Sequence, residues 1–513
     1  MPGEPVKIGP FSGGLNTFSD QAAVDDNQLV ECLNFEPDFD GSLRSRPPVV
    51  SIGIDMPLGS TGNPKILGTF YGPLSKPYLI ASDGLSSTYQ FDGVAWTLIT
   101  ATFAASAMAQ FDNKAWLVAP VGSTSFGGYW VPPGTFTADA NMPKGEVIVS
   151  HKLRLWIMRG KDATSNGTRL YFSKVLGTVP FWISSPDFVD IGGGDGQNIV
   201  SATVYYQSII LFRTNSIYSF SYTSDPASGV VSNVIPGIGL QNKECIATYE
   251  NYIYFMYRGN AYEFINARAT QINVKVPFLE SLKEATVAPQ SVSIFNDRVL
   301  FQWWDYTYVF YLKTRVWTRW NTPTHKSFGA WFPSMEEGVP EARCFTSTPI
   351  AVPGPRVVQL LSIKDEVGTR TEQFKCAAQT KSYSYEAVTI FKRLSWWGLV
   401  ASFNGTVVGS VTNIGFNSAS SWGQLRLTTW GVLRSSTWNS LSSDNYVFVS
   451  TRTTVGQGSQ RKTVKMGTKA FRFRQVVFKV EFDTDGSVNT APVRLNSLMT
   501  YVTAKQTVSK TVS

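Results

Sequence analysis

Charged residues are scarce in this sequence. Asp, Glu, Lys and Arg make up 16% of its 513 residues, whereas about 25% is usual for soluble globular domains. A soluble monomer usually needs more surface charge to stay dispersed, so the shortage favours a chain that buries surface against other subunits. The net charge of +8 is small for this length and does not indicate a dedicated nucleic-acid-binding domain.

Histidine and cysteine are also rare, which limits the chemistry open to the chain. His151 and His325 belong to no motif such as HExxH, and the four cysteines form no CxxC pair. We expect these cysteines to be buried apolar side chains rather than metal ligands or disulfides. The sequence has no GxSxG or Walker A motif and no Ser-x-Asp-x-Gly-x-x-Trp box of sialidase-type propellers. We therefore predict a protein that is not an enzyme and has no cofactor or metal, although the paired acids of a glycosidase need not be close in sequence.

Long apolar runs are missing as well. No run approaches the roughly 18 residues of a membrane-spanning helix, and residues 1–7 contain no apolar core of a signal peptide. We therefore expect no membrane-spanning segment and synthesis in a cytoplasm.

What the sequence does contain is a recurring unit of short alternating strands joined by tight turns. Residues 297–320 hold three such strands, and 78–98 hold a similar unit. In both units an aromatic strand is followed, after a turn, by Trp-Thr, at Trp96 and Trp317. A meander that recurs every 40–50 residues or so is typical of propeller blades. We predict an all-β fold with a β-propeller of about six blades over 56–350.

Two further segments flank the predicted propeller. Residues 1–55 are predicted to form an N-terminal arm with a short helix, because the apolar residues of 29–33 share one helical face. Residues 351–513 follow a proline-rich linker, and their alternating strands predict a C-terminal β-sandwich domain. Within it, 417–445 is an insertion rich in Ser, Thr and Trp.

The N-terminal segment carries a spaced pattern of small and polar residues. The pattern comprises Gly13, Gly14, Asn16, Asp20, Asn27, Gln28, Asn34, Gly41, Leu43, Arg44, Arg46 and Pro47. It resembles the N-terminal signature of the tail nozzle and hub proteins of tailed bacteriophages, most closely the tail tubular protein B type of short-tailed phages. That family pattern closes in Arg-x-Arg-Pro-Gly, and Pro48 replaces the final Gly here, so the turn must differ. Residues 154–192 resemble the propeller of the same family.

The resemblance implies a structural protein of the virion. It implies a homo-oligomeric ring, a hexamer, at the tail nozzle or hub. Double-stranded DNA passes through this ring during genome ejection, and loops at one end act as a gate. The implied partners are an adaptor or tail-tube protein on one side and tail fibres or a tip protein on the other. An alternative of another class stays open, a tail-tip propeller that binds or degrades carbohydrate during host recognition. A central pocket of convergent carboxylates and aromatic side chains would favour that alternative.

Several residues are candidates for contacts with partners. The candidates for assembly interfaces are Asn16, Asn27, Gln28, Asn34, Leu43, Arg44, Arg46, Trp422, Trp430 and Trp438. The three tryptophans recur every eight residues in the insertion, and exposed aromatic side chains mark interfaces whereas buried ones belong to a core.

A basic cluster without intervening acids lies in the C-terminal region. It consists of Arg461, Lys462, Lys465, Lys469, Arg472 and Arg474. The period of a strand puts Arg472 and Arg474 on one face. That face meets solvent, an acidic neighbour or a DNA conduit. A conduit needs only modest positive charge, because each neutralised phosphate strengthens binding and slows passage.

Overall fold

The structure is a computed structural model in which the regular elements of the described residues are almost all β-strands. It describes residues 6–17, 23–38, 40–46, 49–52, 65–158, 167–192, 197–278, 290–295, 297–303, 306–321, 328–336, 339–347, 355–360, 375–383, 392–402, 405–414, 446–454, 462–466, 471–473, 475–483 and 493–504. These residues belong to two compact units, a larger unit (49–313 and 322–362) and a smaller unit (1–48, 314–321 and 363–513). The helical elements among them are two short 3-10 turns, Pro73–Ser75 and Pro226–Ser228. Among the described residues there is no helix with the length and apolar character needed to span a membrane.

The strands are numbered in chain order. The first six are β1 (Val6–Ile8), β2 (Gly14–Leu15), β3 (Gln28–Leu33), β4 (Phe35–Pro37), β5 (Leu43–Ser45) and β6 (Val49–Ile52). The next sixteen are β7 (Lys65–Tyr71), β8 (Pro77–Ser82), β9 (Thr88–Phe91), β10 (Trp96–Thr100), β11 (Ala107–Phe111), β12 (Lys114–Val118), β13 (Gly128–Trp130), β14 (Thr137–Ala138), β15 (Val147–His151), β16 (Arg154–Met158), β17 (Arg169–Phe172), β18 (Phe188–Asp190), β19 (Ile199–Tyr205), β20 (Ser208–Arg213), β21 (Ser216–Ser221) and β22 (Val230–Pro236).

The remaining strands continue the same order. They are β23 (Ile246–Tyr249), β24 (Tyr252–Tyr257), β25 (Asn260–Ile265), β26 (Arg268–Gln271), β27 (Gln290–Phe295), β28 (Arg298–Trp303), β29 (Tyr306–Tyr311), β30 (Val316–Asn321), β31 (Phe328–Glu336), β32 (Val339–Ser347), β33 (Pro355–Leu360), β34 (Lys375–Thr380), β35 (Lys392–Ser402), β36 (Gly405–Ile414), β37 (Tyr446–Thr454), β38 (Lys462–Lys465), β39 (Phe471–Phe473), β40 (Gln475–Asp483) and β41 (Arg494–Ala504).

In the larger unit, consecutive strands form antiparallel meanders. Five sheets each contain four successive strands, namely β7–β10, β11–β14, β15–β18, β19–β22 and β23–β26. The unit contributes β27, β28 and β29 to a sixth sheet. The last sheet contains β31, β32, β33 and β6, in that order. The described residues of this unit therefore supply seven sheets.

The first strands of these sheets follow one another around a closed ring. β7 contacts β11, β11 contacts β15, β15 contacts β19, β23 contacts β27, β27 contacts β31, and β31 contacts β7 again. The fourth and fifth sheets meet through the ring pairs Phe212–Phe255 at 5.2 Å and Tyr205–Phe264 at 5.6 Å between centroids. Meander sheets arranged radially in a ring constitute a β-propeller, so the predicted all-β fold and propeller are confirmed.

The seventh blade takes its fourth strand from outside the range of 56–350 predicted for the propeller. Its fourth strand, β6, precedes the first blade in the chain and pairs antiparallel with β33, with Ile52 opposite Val357 and Val49 opposite Leu360. A strand of four residues that is distant in sequence from the other strands of its sheet cannot be recognised as part of a meander. This pairing joins the two ends of the larger unit and closes the ring.

The blades are held to each other by aromatic side chains. Trp156 on β16 of the third blade is 0% exposed, and its ring contacts Phe172 at 5.1 Å, Phe220 at 5.4 Å and Tyr222 at 5.2 Å between centroids. Because Phe220 and Tyr222 belong to the fourth blade, this cluster joins two sheets. A sheet of alternating residues buries both its faces only when it lies between two neighbours.

The smaller unit combines both ends of the chain in two sheets. One sheet has the order β38-β35-β41-β5-β4, with β1 on β41 and β39 on β35. The strands of this unit in the other sheet follow the order β30-β3-β34-β40-β36-β37, with β2 on β3. Aromatic contacts join the two sheets, Phe35 with Phe482 at 6.1 Å and Trp397 with Phe478 at 5.5 Å between centroids.

The predicted helix in the N-terminal segment is wrong. Residues 28–33 form β3, which pairs antiparallel with β34, and the register shifts between Leu29 and Glu31. Such a bulge adds one residue to the strand, so Leu29 and Cys32, three positions apart, are both buried. This spacing resembles that of the apolar face of a helix.

The N-terminal strands β1, β3 and β5 pair with C-terminal strands, so residues 1–48 share a unit with 363–513. The insertion 417–445 lies outside the described residues.

Replacing Trp156 by Ala is expected to lower the free energy of unfolding by about 3–5 kcal/mol, because the change removes a fully buried ring and leaves a cavity. Urea unfolding followed by circular dichroism measures this. The control is Val94→Ala on the first blade, where the side chain is 76% exposed and the expected change is below about 0.5 kcal/mol. Equal losses in both variants would contradict this description of the core.

Candidate functional site

The residues of the N-terminal signature lie in the smaller unit, and most are buried there. Five of the candidate interface side chains expose 8% or less of their surface, namely Asn16, Gln28, Asn34, Leu43 and Arg46. Arg44 is half-buried and Asn27 is exposed. The contacts of the buried five are therefore made within this chain.

Asn34 is the centre of these contacts. It follows β3 with a φ of 58°, a left-handed conformation that Asn adopts more readily than most residues. Its side-chain Oδ1 accepts hydrogen bonds from Arg46 Nε at 3.0 Å and from the Asn321 backbone amide at 2.8 Å. Its Nδ2 donates to the Lys375 carbonyl at 2.6 Å. Both ends of the side-chain amide are therefore occupied.

The backbone of Asn34 binds the same neighbours. Its amide donates to the Arg319 carbonyl at 2.8 Å, and its carbonyl accepts from the Arg46 amide at 2.9 Å. The Cys376 thiol also donates to this carbonyl, with Sγ 3.4 Å from the oxygen. The Asn34 network, defined as Asn34, Arg46, Arg319, Asn321, Lys375 and Cys376, thus joins the segment after β3 to β30 and β34.

Arg46 brings a fully buried guanidinium to the network. It is 0% exposed, and besides Asn34 its Nη2 donates to the Asn321 carbonyl at 3.2 Å. Burying a charged group is costly unless its donors are hydrogen-bonded. The carbonyl and amide oxygens around it must therefore stay in place, which fixes the segments that carry them.

The first half of the signature positions β2 beside β3. Gly14 has a φ of +65°, and a Cβ there would lie 2.7 Å from the Trp317 carbonyl oxygen, so only glycine fits. Asn16 then donates from Nδ2 to Gln28 Oε1 at 2.7 Å, and its backbone amide donates to the Leu29 carbonyl at 2.8 Å. The spacing of the pattern follows from these contacts.

Cys32, which interacts electrostatically with Cys376 of the Asn34 network, is a neutral thiol. Burial, with a further contribution from Cys376, raises the pKa of the Cys32 thiol far above its usual range, and a neutral thiol is a poor nucleophile and metal ligand. Cys32, Cys245 and Cys376 are buried, as predicted, while the side chain of Cys344 lies outside the description. Within the described part of the chain no group of three or more His, Cys, Asp or Glu side chains is placed to hold a metal ion.

The basic cluster is partly described. Lys462 and Lys465 lie on β38, where they face Ala401 and Gly398 of β35 in the strand register. Arg472 lies on β39, opposite Arg393 of the same β35. The structure therefore brings these three positions onto strands that flank β35. Outside the described residues lie Arg461, Lys469, Arg474, Trp422, Trp430 and Trp438.

His151 ends the first strand of the third blade. Its Nε2 lies 3.2 Å from the Gln207 carbonyl oxygen, and its ring meets the edge of Tyr222 at 5.8 Å between centroids. Burial and the neighbouring Lys152 lower its pKa below the usual 6.5. His151 is therefore neutral at pH 7 and donates to a backbone carbonyl. His325 lies outside the described residues.

Replacing Asn34 by Ala is expected to lower the free energy of unfolding by about 3 kcal/mol or more, because it leaves buried partners, including Arg46 Nε, unpaired. Asn34→Gly, which tolerates the left-handed backbone, separates the loss of the amide from backbone strain. Exposed Asn27→Ala is the control, with a change below about 0.5 kcal/mol. Wild-type stability of Asn34→Gly in urea unfolding would show that the side-chain bonds are unimportant.

His151 is expected to make stability fall on mild acidification. Well above pH 6.5 it is neutral in both states. As the pH falls through 6.5 the unfolded chain takes up the proton first, because the folded pKa is lower. Stability is therefore lost as the pH falls from 6.5 towards the folded pKa. The melting temperature of His151→Gln should drop less between pH 7.5 and pH 5 than that of the wild type. Parallel pH profiles of the two proteins would exclude this contribution.

Comparison with known proteins gives structural likeness only. No protein-family model matches the chain, and no curated protein matches it. Solved structures similar to it include the extracellular domain of a hybrid two-component system from B. thetaiotaomicron, with 10% identity, a TM-score of 0.41, and coverage of 64% of this chain and 42% of that one. The chain thus spans less than half of that structure.

Two further structures are similar at the same level. The Neurospora crassa Pan2 WD40 domain has 8% identity and a TM-score of 0.41, with coverage of 62% of this chain and 97% of that one. BamB from Moraxella catarrhalis has 11% identity and a TM-score of 0.36, with coverage of 71% and 98%. Because these TM-scores are low, the propeller architecture rests on strand pairing and on the contacts between sheets.

Proposed function

We propose that this chain is a structural subunit of a bacteriophage tail. Subunits assemble into a homohexameric ring at the tail nozzle or hub, and double-stranded DNA passes through the ring during genome ejection. The observation that carries the proposal is the meeting of the signature residues in space. Gly14, Asn16 and Gln28 position β2 and β3, while Asn34 and Arg46 occupy one network. A chance match of separate residues gives no reason for such convergence.

In this proposal most of the signature residues stabilise their own chain and do not contact a neighbouring subunit. The buried members build the smaller unit, and the exposed Asn27 and half-buried Arg44 are left as its candidates for contact with a neighbour. The basic positions on β38 and β39 are the candidates for contact with an acidic neighbour or with the DNA passage, and a solvent-facing strand is the third alternative. In this proposal the smaller unit takes the place of the predicted C-terminal sandwich domain and also includes the N-terminal strands.

Exposed aliphatic side chains on the third blade support assembly. Leu153, Val175, Leu176 and Val179 are 60%, 37%, 38% and 93% exposed. The Leu176 amide donates to the Leu153 carbonyl at 2.9 Å, so the loop after β17 lies against the turn after β15. Exposed apolar patches of this kind mark sites of protein contact. Together with the low charge of the chain, they favour a subunit over a dispersed monomer.

The mechanism of such a subunit is mechanical. Stiff blades keep the passage open, and loops at one end gate it until the tail meets its host. The partners are an adaptor or tail-tube protein and, on the other side, fibres or a tip protein. The protein is made in the host cytoplasm and ends in the virion.

A tail-tip propeller that binds or degrades carbohydrate is the second candidate, and one groove favours it. Arg154, Lys174, Asp187, Phe188 and Asp225 line this groove, which thus combines an aromatic ring with two carboxylates. Asp187 is paired with Lys174 at 2.8 Å, and an Asp225 Oδ1 accepts from a backbone amide of its own loop at 3.0 Å. Both carboxylates are already engaged, so the ring is the preferred proposal.

The purified protein is expected to form closed rings in negative-stain electron microscopy and a hexamer-sized species in mass photometry. Leu176→Asp with Val179→Asp should reduce that species, because charge in the apolar patch opposes its burial. Val94→Asp is the control, since Val94 on the first blade is 76% exposed and lies outside the patch.

A monomer at all concentrations that cleaves a glycan would overturn the ring. In that case Asp187→Asn and Asp225→Asn would abolish the cleavage. A monomer that binds no glycan would contradict both candidates.

A further inference from the structure

Lys243 makes contacts that no local sequence pattern predicts. It lies three residues before β23, the first strand of the fifth blade. Its ammonium nitrogen is 3.0 Å from the Ser106 carbonyl oxygen, 3.1 Å from the Glu146 carbonyl oxygen and 3.0 Å from Glu146 Oε2. All three N–H groups of the ammonium therefore have an acceptor.

The acceptors belong to blades that are not neighbours of the fifth. Ser106 immediately precedes β11 of the second blade, and Glu146 immediately precedes β15 of the third. In a propeller the first strands surround the axis and all begin at the same end. A side chain that joins the start of the fifth blade to the starts of the second and third must therefore cross the axis at that end.

The next residue, Glu244, extends the contacts to two more blades. Its carboxylate lies 3.5 Å from the ammonium of Lys65, which begins β7 of the first blade. Its backbone carbonyl accepts from the Val292 amide of the sixth blade at 2.9 Å. Two consecutive residues thus bind four blades other than their own.

A local turn holds these two side chains in their diverging directions. Asn242 Oδ1 accepts from the Glu244 amide at 3.2 Å, and the Cys245 amide donates to the Asn242 carbonyl at 3.1 Å. Only 19% of the Lys243 side chain is exposed, so salt screens its ion pair less than a surface pair. Hydrogen bonds from an ammonium are also stronger than neutral ones.

We infer that residues 242–245 form an ionic strap that closes one end of the propeller axis. No ligand enters the protomer from that end while the strap is closed. The strap itself does not depend on the proposed function. A consequence that does rest on it is that DNA passes between protomers and not along the axis of one.

Cys245 supplies a reporter for the strap. It is 0% exposed, and its amide belongs to the turn of the strap. With the full-length protein, the rate of modification by N-ethylmaleimide at each cysteine is measured by peptide mass spectrometry. Lys243→Met, which keeps the length and apolar stem of the side chain, should speed labelling of Cys245 by about tenfold or more, because opening needs fewer bonds to break. Cys32 and Cys376, buried in the smaller unit, should label at wild-type rates.

The matched control is Lys275→Met, an exposed lysine after the last strand of the same blade, which should leave Cys245 unchanged. If Lys243→Met does not fold, Glu146→Gln removes only the carboxylate charge and should give a smaller acceleration. Unchanged labelling of Cys245 in a folded variant would overturn the strap, and equal acceleration at all three cysteines would show global loosening instead. Because each variant is compared with the wild type under the same conditions, and Cys32 and Cys376 serve as internal references, the labelling tests the strap whether or not rings form.

Discussion

The structure depends on the fact that a propeller blade cannot bury its two faces alone. The third blade, for example, carries the apolar ring of Trp156, which is covered in part by the rings of Phe220 and Tyr222 from the next blade. A row of such sheets would leave an apolar face bare at each end. Closing the row into a ring removes both ends, and the pairing of β6 with β33 provides that closure.

The smaller unit also depends on contacts between distant parts of the chain, and a buried polar network contributes to them. Its sheets also need strands from distant parts of the chain, since β5 pairs with β41 and β3 pairs with β34. Backbone pairing between such strands leaves their ends open, and the Asn34 network occupies one of these ends. One amide side chain there satisfies two donors and one acceptor from three separate segments. A buried polar network of this kind specifies one arrangement, because any shift leaves its groups unpaired.

The sequence allowed the blades to be predicted, since each is a local meander whose turns and alternation lie within about 40 residues. It did not reveal features that depend on distant partners. β6 became visible as a blade strand only through β33, and the bulge in β3 made Leu29 and Cys32 resemble a helix. Lys243 likewise lies in an ordinary polar segment. Its role depends on hydrogen bonds to carbonyl oxygens more than 90 positions away in the sequence.

The signature residues illustrate a further limit. Their spacing supported a family resemblance, but spacing alone cannot tell a residue that meets a partner from one that holds its own chain. Asn34 and Arg46 are polar and charged, which favours the surface in general, yet both are buried. A polar residue can be buried when its partners are supplied by strands that the chain brings together only on folding.

Several of the few charged side chains are used for contacts inside the chain. Arg46, Arg213 and Lys243 donate hydrogen bonds to acceptors of their own units, most of them backbone carbonyls, and Arg213 binds the carbonyls of Gly192 and Gln197 at 2.9 and 2.6 Å. These charges therefore add rigidity rather than solubility. A protein that binds small ligands at its axis needs polar groups left open to them, whereas charges satisfied within the chain suit a stiff wall. The low charge of the sequence and the inferred strap across the axis are thus both in keeping with the proposed structural role.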